Sequence, residues 1–472
     1  MKTSPRPHRS ALKLSPGTQT AASRVITGPV RHTLLWLALP VFGEQLLNSF
    51  VAIVDTFLAG RISTDATAAV GLAAYVDWLA SMLFALVGTG TTALVSRAAG
   101  TGDATAAQRI TNQSMTLSVI TGLVFSGALF ALAPLFADLQ NMTGATYDIA
   151  VQYMRLDATA MTFTSLTLVG AAALRGAGDT RTPMAILGGV NILNALASFA
   201  LVFGWGPLQP YGVTGIVVGT VIARVAGGLL MVGVLIRGRS SLRLRRSMLA
   251  LKPEPVHRIL RIGGPAAFDG AVMWTGHFLF LMIVARLAEG QLGHAYYAAH
   301  IIGVRLEAFT YLPAMAWAAA AATMIGQNLG ADQPDRARRA GHEAALQCAV
   351  LTSVVGVFFF LAATQLFAFM HKEPLVRQVG TGPFRMVALL QPVLAISIVY
   401  IGSLRGAGDT RFPLLITVTT LVLVRLPLGY LFGATFGWGL WGAWMAMCAD
   451  FIFRGGLASW HFARGKWIHV RV

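Results

Sequence analysis

The sequence predicts an all-α membrane protein of twelve transmembrane helices, arranged as two six-helix repeats about a pseudo-two-fold axis along the membrane normal. Three observations predict it. Only 12% of the 472 residues are charged and 55% are hydrophobic, where a soluble domain carries about 25% charged residues. The apolar residues gather into twelve long runs, and about 20 such residues cross a hydrocarbon core. The octapeptide LRGAGDTR occurs twice, at 174–181 and 404–411.

The runs lie near 33–60, 68–96, 110–136, 149–173, 183–204 and 213–236 in the first half. In the second they lie near 259–286, 294–326, 342–370, 380–403, 413–433 and 438–462. Residues 1–32 are basic and rich in Ser, Thr and Pro, with no apolar core, and read as a cytoplasmic, largely disordered tail. The first apolar run is too long for a signal peptide. With that end inside, the inner segments hold about 26 of the 36 Lys and Arg, and the outer loops only Arg61, Arg286, Lys372 and Arg377. The positive-inside rule then places both termini in the cytoplasm of a multi-pass protein of the plasma (inner) membrane.

The same distribution disposes of nucleic acid as a partner. A net charge of +17 would suit it, but the basic residues sit in short segments between apolar runs. Cys348 and Cys448 lie inside such runs and supply neither a disulfide framework nor a thiolate metal cluster. The composition also excludes a disordered chain or collagen-like fibre.

The repeat has an offset of 230, which also pairs Gly100 with Gly330, Arg155 with Arg385 and Arg224 with Arg454. Near the start of each half the offset is 225, pairing Pro40 with Pro265 and Arg61 with Arg286. An even number of spans per half makes the repeats parallel, so that two bundles face each other across a central cavity. The expected organisation is a tail (1–32), an N-terminal bundle (33–236), a basic linker (237–257), a C-terminal bundle (258–463) and a short cytoplasmic end (464–472). Within LRGAGDTR the glycines permit a tight turn. Asp179 and Thr182 suit the cap of the next helix, with Pro183 in its first turn. The motif lacks the GK[ST] ending of a phosphate loop, so ATP does not drive this chain.

These features resemble the multidrug and toxic-compound extrusion transporters. IVDTFLAG (53–60), the duplicated LRGAGDTR with its following proline, VSRAAGTGDATAA (95–107), IGQNLGADQPDRA (325–337) and ARGKW (463–467) carry the resemblance. It covers nearly everything from 33 to 467 and implies secondary active efflux of small organic, mostly cationic compounds, driven by proton or sodium influx. The sequence carries no HExxH, no GxSxG and no convincing metal set, so neither an enzyme nor a cofactor is expected; no obligatory protein partner is inferred, and the bilayer is the surrounding medium.

Ionisable groups inside spans are costly and usually line a pathway. Those here are Glu44, Asp55, Asp77, Asp157, Asp269, Glu307 and Asp450. Glu44 and Asp55 are eleven residues apart, about 20° off alignment and about 16 Å along a helix, so with Asn48 they form one polar stripe. A buried acid that alternates between charged and neutral forms suits a proton or cation carrier. The resemblance points to Asp55 as that acid. It also points to a fifth-helix Asn followed four residues later by an acid; here these positions are Asn194 and Ser198. The missing carboxylate weakens a sodium site.

Another branch of the family places a glutamate in the seventh helix, where this chain has Met273. The acid in that helix is Asp269, which the repeat pairs with Glu44, as it pairs Asp77 with Glu307. The matched acids are expected to face the central cleft. Asp55 has Phe280 as its mate and is specific to the first half. Met273, Trp274 and His277 are candidates to line the substrate cavity, through an adaptable thioether, a cation-binding ring and an imidazole. Asp450 is expected to pair with Arg454, and Asp157 with Arg155 or an arginine across the bundle. The alternative function is a flippase for lipid-linked saccharides, whose anionic substrates would want a cationic cavity.

Overall fold

The computed structural model describes residues 21–205 and 209–470. The first half consists of α1 (Ala21–Thr27), α2 (Val30–Ile62), α3 (Thr64–Thr101), α4 (Ala104–Leu139), α5 (Gly144–Ala158), α6 (Met161–Gly176), α7 (Arg181–Phe203) and α8 (Val213–Arg237). The second consists of α9 (Pro253–Ala285), α10 (Gly290–Gly330), α11 (Pro334–Met370), α12 (Pro374–Leu389), α13 (Gln391–Ala407), α14 (Arg411–Thr419), α15 (Leu426–Tyr430) and α16 (Gly439–Arg464).

Among the described residues these elements make twelve spans. Nine are single helices long and apolar enough to cross, counting Arg411–Thr435 as one. Two are bent pairs, α5 with α6 at 50° and α12 with α13 at 51°. The twelfth is α16, whose 26 residues include Asp450 and Arg454. The tail departs from expectation: residues 21–27 are helical and α2 starts at Val30. The remainder of the tail expectation, over 1–20, lies outside the described residues.

A membrane environment follows from the outward faces. Along α11, Leu346, Val350, Val354, Val357 and Leu361 are 54%, 58%, 66%, 56% and 67% exposed. Their spacing of three and four puts them on one stripe, about 22 Å long. An apolar stripe of that length facing water would be an association surface; against acyl chains it has no such cost.

The repeat extends into backbone detail. Gly178 and Gly408, equivalent glycines of the duplicated motif, both adopt φ 92, a conformation open to glycine and strained for other residues. Asp179 accepts hydrogen bonds from the amide and hydroxyl of Thr182 at 3.0 and 2.8 Å, which caps α7 as the sequence suggested. Pro40 and Pro265 sit inside α2 and α9, and each removes one helical hydrogen bond. Span eleven holds two π-helical turns, Thr420–Arg425 and Leu431–Thr435, flanking the segment with Pro427. Such turns relieve the ladder around a proline and often mark functional sites.

The two halves pack through α2 against α10 and α3 against α9 and α10. They approach each other closely at the end carrying the linker. A Cβ on Gly100 would lie 2.0 Å from the carbonyl oxygen of Gln327, and one on Gly330 would lie 2.2 Å from that of Arg97. Gly100 and Gly330 are repeat mates, as are Arg97 and Gln327, so the pseudo-two-fold axis passes through this crossing. Side chains then bridge the halves reciprocally. Gln327 donates to the Gly176 carbonyl at 2.8 Å and Thr323 to that of Arg175 at 3.0 Å. Arg97 donates to the Ala407 carbonyl at 3.3 Å. The acceptors are carbonyls at the ends of α6 and α13, which a helix leaves without intrahelical partners.

This crossing predicts an effect. In Gly330→Val the added carbons meet backbone, and such overpacking costs about 1–3 kcal/mol. The linker end should open in a fraction of molecules raised roughly tenfold. Maleimide labelling of a Ser96→Cys reporter, buried in the closed form and touching Gly326, measures it; unchanged labelling would refute the crossing as a gate.

The linker is not a free tether. Asn112 donates to the Arg243 carbonyl at 2.9 Å and accepts from the Arg245 amide at 2.8 Å. Gln113 donates to the Met248 and Ala250 carbonyls and accepts from the Lys252 amide at 2.7 Å. A row of amides on α4 therefore fastens the linker backbone, and α9 begins at Pro253.

Candidate functional site

The seam between α2 and α7 is lined from the linker end outward by Gly43 against Met184, Gly188 against Leu47, and Asn191 donating to Asn48 at 2.6 Å. Beyond it lies Asp55, half-buried, with the Asn194 amide beside its carboxyl. The Asn194 Oδ1 already accepts from Ser198 at 2.9 Å and from Thr220 at 3.4 Å. That orients the amide: its oxygen faces α8 and its NH2 is free for Asp55. Oδ1 of Asp55 is buried and meets no hydrogen-bond partner among the described residues. Asp55, Asn194 and Ser198 therefore lie near one another, with Ser198 bonded to Asn194.

Next to it, Arg224 on α8 reaches two further acids. Its Nη2 lies 2.7 Å from Asp77 Oδ2 and its Nη1 lies 2.7 Å from Asp157 Oδ1. The buried Tyr153 ring closes the cluster from α5. Three carboxylates therefore surround one guanidinium, and Asp55 has no ion pair of its own among the described residues. Arg224, Thr220 and Tyr153 were not singled out from sequence. A signal existed, since an arginine inside an apolar run requires a carboxylate partner, and the repeat had marked Arg224.

The equivalent cluster of the second half is differently charged. Arg454 pairs with Asp450 at 3.1 Å as expected, and Arg425 lies 3.7 Å from the same carboxylate. Arg425 also stands 4.6 Å over the Phe280 ring, the residue that replaces Asp55 in the repeat. Glu307 is 4% exposed and sits by Gln391 and Arg425, not by Arg305, which is exposed. His277 lies near Arg425 and Arg454, and Met273 Sδ is 3.3 Å from Arg454.

Three of the four matched acids, Glu44, Asp269 and Glu307, are buried rather than open to a cleft. Glu44 is 4% exposed and pairs with Arg175 at 3.2 Å. Asp269 is 3% exposed and pairs with Arg405. Arg175 and Arg405 are the arginines of the two LRGAGDTR copies, so acid and motif form one structural unit in each half. The polar stripe of Glu44, Asn48 and Asp55 is accordingly divided: Glu44 belongs to the motif, Asn48 to the α2–α7 seam and Asp55 to the acidic cluster.

Trp274 lies between the halves. It stacks on Trp78 at 5.1 Å, meets Tyr75 edge-on at 5.9 Å and lies parallel to Phe278 at 6.3 Å. Tyr75 and Phe278 remain 63% and 53% exposed, leaving an aromatic wall accessible beside Asp77.

A polytopic bundle of twelve spans in two repeats, with buried ion pairs and an acidic cluster inside one half, defines a membrane transporter rather than an enzyme. The MatE family profile matches residues 40–200 and 265–431, one segment in each repeat. The chain is 30% identical over 441 residues to a probable multidrug resistance protein NorM of Thermotoga maritima, covering 93% of each chain. It is 27% identical over 414 residues to the multidrug resistance protein PmpM of Pseudomonas aeruginosa, covering 85% of this chain and 84% of that one. Its fold matches a multidrug resistance MATE transporter of the MOP superfamily in an outward-facing conformation, with TM-score 0.86, 19% identity, and coverage of 95% of this chain and 100% of the other. The chain belongs to the MatE family.

Proposed function

We propose that the protein is an efflux antiporter that exports organic, mostly cationic compounds in exchange for protons, and that Asp55 carries the exchanged proton. It acts in the plasma (inner) membrane with both termini cytoplasmic, the orientation that puts the basic linker inside. The observation that carries the reading is the charge imbalance around Arg224: Asp77 and Asp157 share its guanidinium, and Asp55 is left with a neutral amide. A half-buried carboxylate without a cation is costly unless it takes up a proton or another cation. Proton uptake and organic-cation binding then compete for the same negative charge, and each favours a different state of the bundle.

A proton fits this site better than sodium. Sodium wants several hard oxygens, whereas the Asn194 oxygen is engaged by Ser198 and Thr220 and the amide presents its NH2 to Asp55. The aromatic wall of Tyr75, Trp78, Trp274 and Phe278 supplies ring faces for a cationic aromatic substrate. The flippase reading has less support: Arg425 and Arg454 are both engaged by Asp450, and the relatives above are named for drug resistance.

The test is efflux of a fluorescent organic cation from proteoliposomes. An imposed pH gradient at equal sodium should drive it, and a sodium gradient at equal pH should not. Transport that follows sodium alone would overturn the assignment.

A further inference from the structure

We propose that the groove at the linker end of α2, lined by Trp36, Asp179, Arg181, Arg239 and Ser240, binds the phosphate headgroup of an anionic phospholipid. The groove is open to its surroundings and offers about 330 Å³. Two guanidinium groups converge on one ring at its edge: those of Arg24 and Arg181 stand 4.9 and 5.4 Å from the Trp36 centroid. Neither has an ion-pair partner among the described residues. A third guanidinium, of Arg239, holds Asp179 Oδ2 through Nε at 3.0 Å.

Like charges gathered without a counter-ion repel, and an anion between them removes the repulsion. Asp179 does not fill that role. Burial works against its charge, but hydrogen bonds from Thr182, Arg239 and Ser240 outweigh burial and hold its carboxyl below the ordinary carboxylate range. It stays ionised, yet its oxygens are occupied by those donors. Three guanidinium groups against one carboxylate leave the groove cationic, and arginine forks match phosphate oxygens bidentately.

The lipid source follows from position. Trp36 lies in the second turn of α2, at the depth where tryptophans mark the headgroup level. Leu35 and Leu39 beside it are 37% and 55% exposed, a surface for acyl chains. The equivalent place in the second half is built differently. There Asp409, the mate of Asp179, contacts His461 Nε2 at 2.8 Å, and that imidazole stacks on Phe412 at 3.5 Å. The residue matching Trp36 is Arg261, which offers no ring. A bound headgroup would tie α1, α2, α7 and the linker together at the base of the helix that carries Asp55.

The experiment is native mass spectrometry of the purified full chain, titrated with dioleoyl phosphatidylglycerol, with dioleoyl phosphatidylcholine, and with inorganic phosphate as competitor. The wild type should prefer phosphatidylglycerol. Arg24→Gln with Arg181→Gln should bind it about thirtyfold more weakly, since each basic residue near an anionic surface contributes about a fivefold factor. Arg61→Gln with Arg377→Gln, at the other end of the bundle, should bind as the wild type does. Equal binding by the Arg24/Arg181 variant, equal affinity for phosphatidylcholine, or displacement by millimolar phosphate would each overturn the proposal.

Discussion

Asp55→Asn is expected to abolish uptake-coupled efflux, lowering pH-gradient-driven transport in proteoliposomes to the protein-free leak. The substitution keeps size and hydrogen-bonding capacity, so α2 should pack as before against α7. It removes the one acid of the first-half cluster that has no guanidinium of its own. The site is then permanently neutral, and proton uptake no longer distinguishes the two states. A ligand that binds both states equally shifts nothing. Organic-cation binding should weaken as well, by losing one unscreened charge, while Asp55→Glu should retain measurable coupling. Asn194→Ala is the milder companion, because it deletes the amide that orients the carboxyl but leaves the charge. Full gradient-driven efflux by Asp55→Asn would remove this residue from the mechanism.

The fold was legible because lipid imposes a simple rule. Backbone polar groups must be satisfied within each span, so long apolar runs report helices directly, and the runs near 149–173 and 380–403 were located although each is bent. The bends themselves were not legible. The break at Thr159–Ala160 has no proline, and the one at Leu390 precedes Pro392 in a sequence that reads as continuously apolar. The helix over 21–27 was missed because seven residues with Ser23 and Arg24 carry no transmembrane signal.

The candidate site was half legible, for a different reason. Repeat matching identifies which residues are equivalent but not what they face. Glu44 and Asp269 were correctly matched to one another, and their partners Arg175 and Arg405 were in view as parts of the duplicated motif. What the sequence lacks is the fold that brings the end of α6 onto α2 and the end of α13 onto α9. Asp55, Asn194 and Ser198 were found through resemblance; the role of Thr220 in turning the Asn194 amide depends on a neighbouring helix and has no local signature.

The structure also makes the asymmetry of the two halves physical. At equivalent places the first half has Asp55 and Thr220 where the second has Phe280 and Asp450. One interchange moves a carboxylate away from its arginine in the first half, and the other supplies Arg454 with a close partner in the second. The first half is thereby left with surplus negative charge, whereas in the second two arginines stand against Asp450 and the neighbouring Glu307. The proposed function accordingly puts the proton-accepting carboxylate on the side with the surplus.

Arg224→Met should be the most destabilising single change in the first half. The methionine fills much of the space but leaves Asp77 and Asp157 without their cation. Breaking a buried pair by removing one partner costs about 3–5 kcal/mol, mostly from the stranded charge. The Asp157 side carries most of it, because that carboxylate is 4% exposed whereas Asp77 is 35% exposed and partly screened by solvent. Two native cysteines give the readout: Cys348 and Cys448 are both buried, so a thiol-reactive dye reports unfolding on heating. The variant should melt well below the wild type, and adding Asp157→Asn should recover much of the loss by neutralising the stranded group. If Arg224→Met melts with the wild type, or if Asp157→Asn deepens the loss, then the cluster is not the buried charge network that the geometry describes.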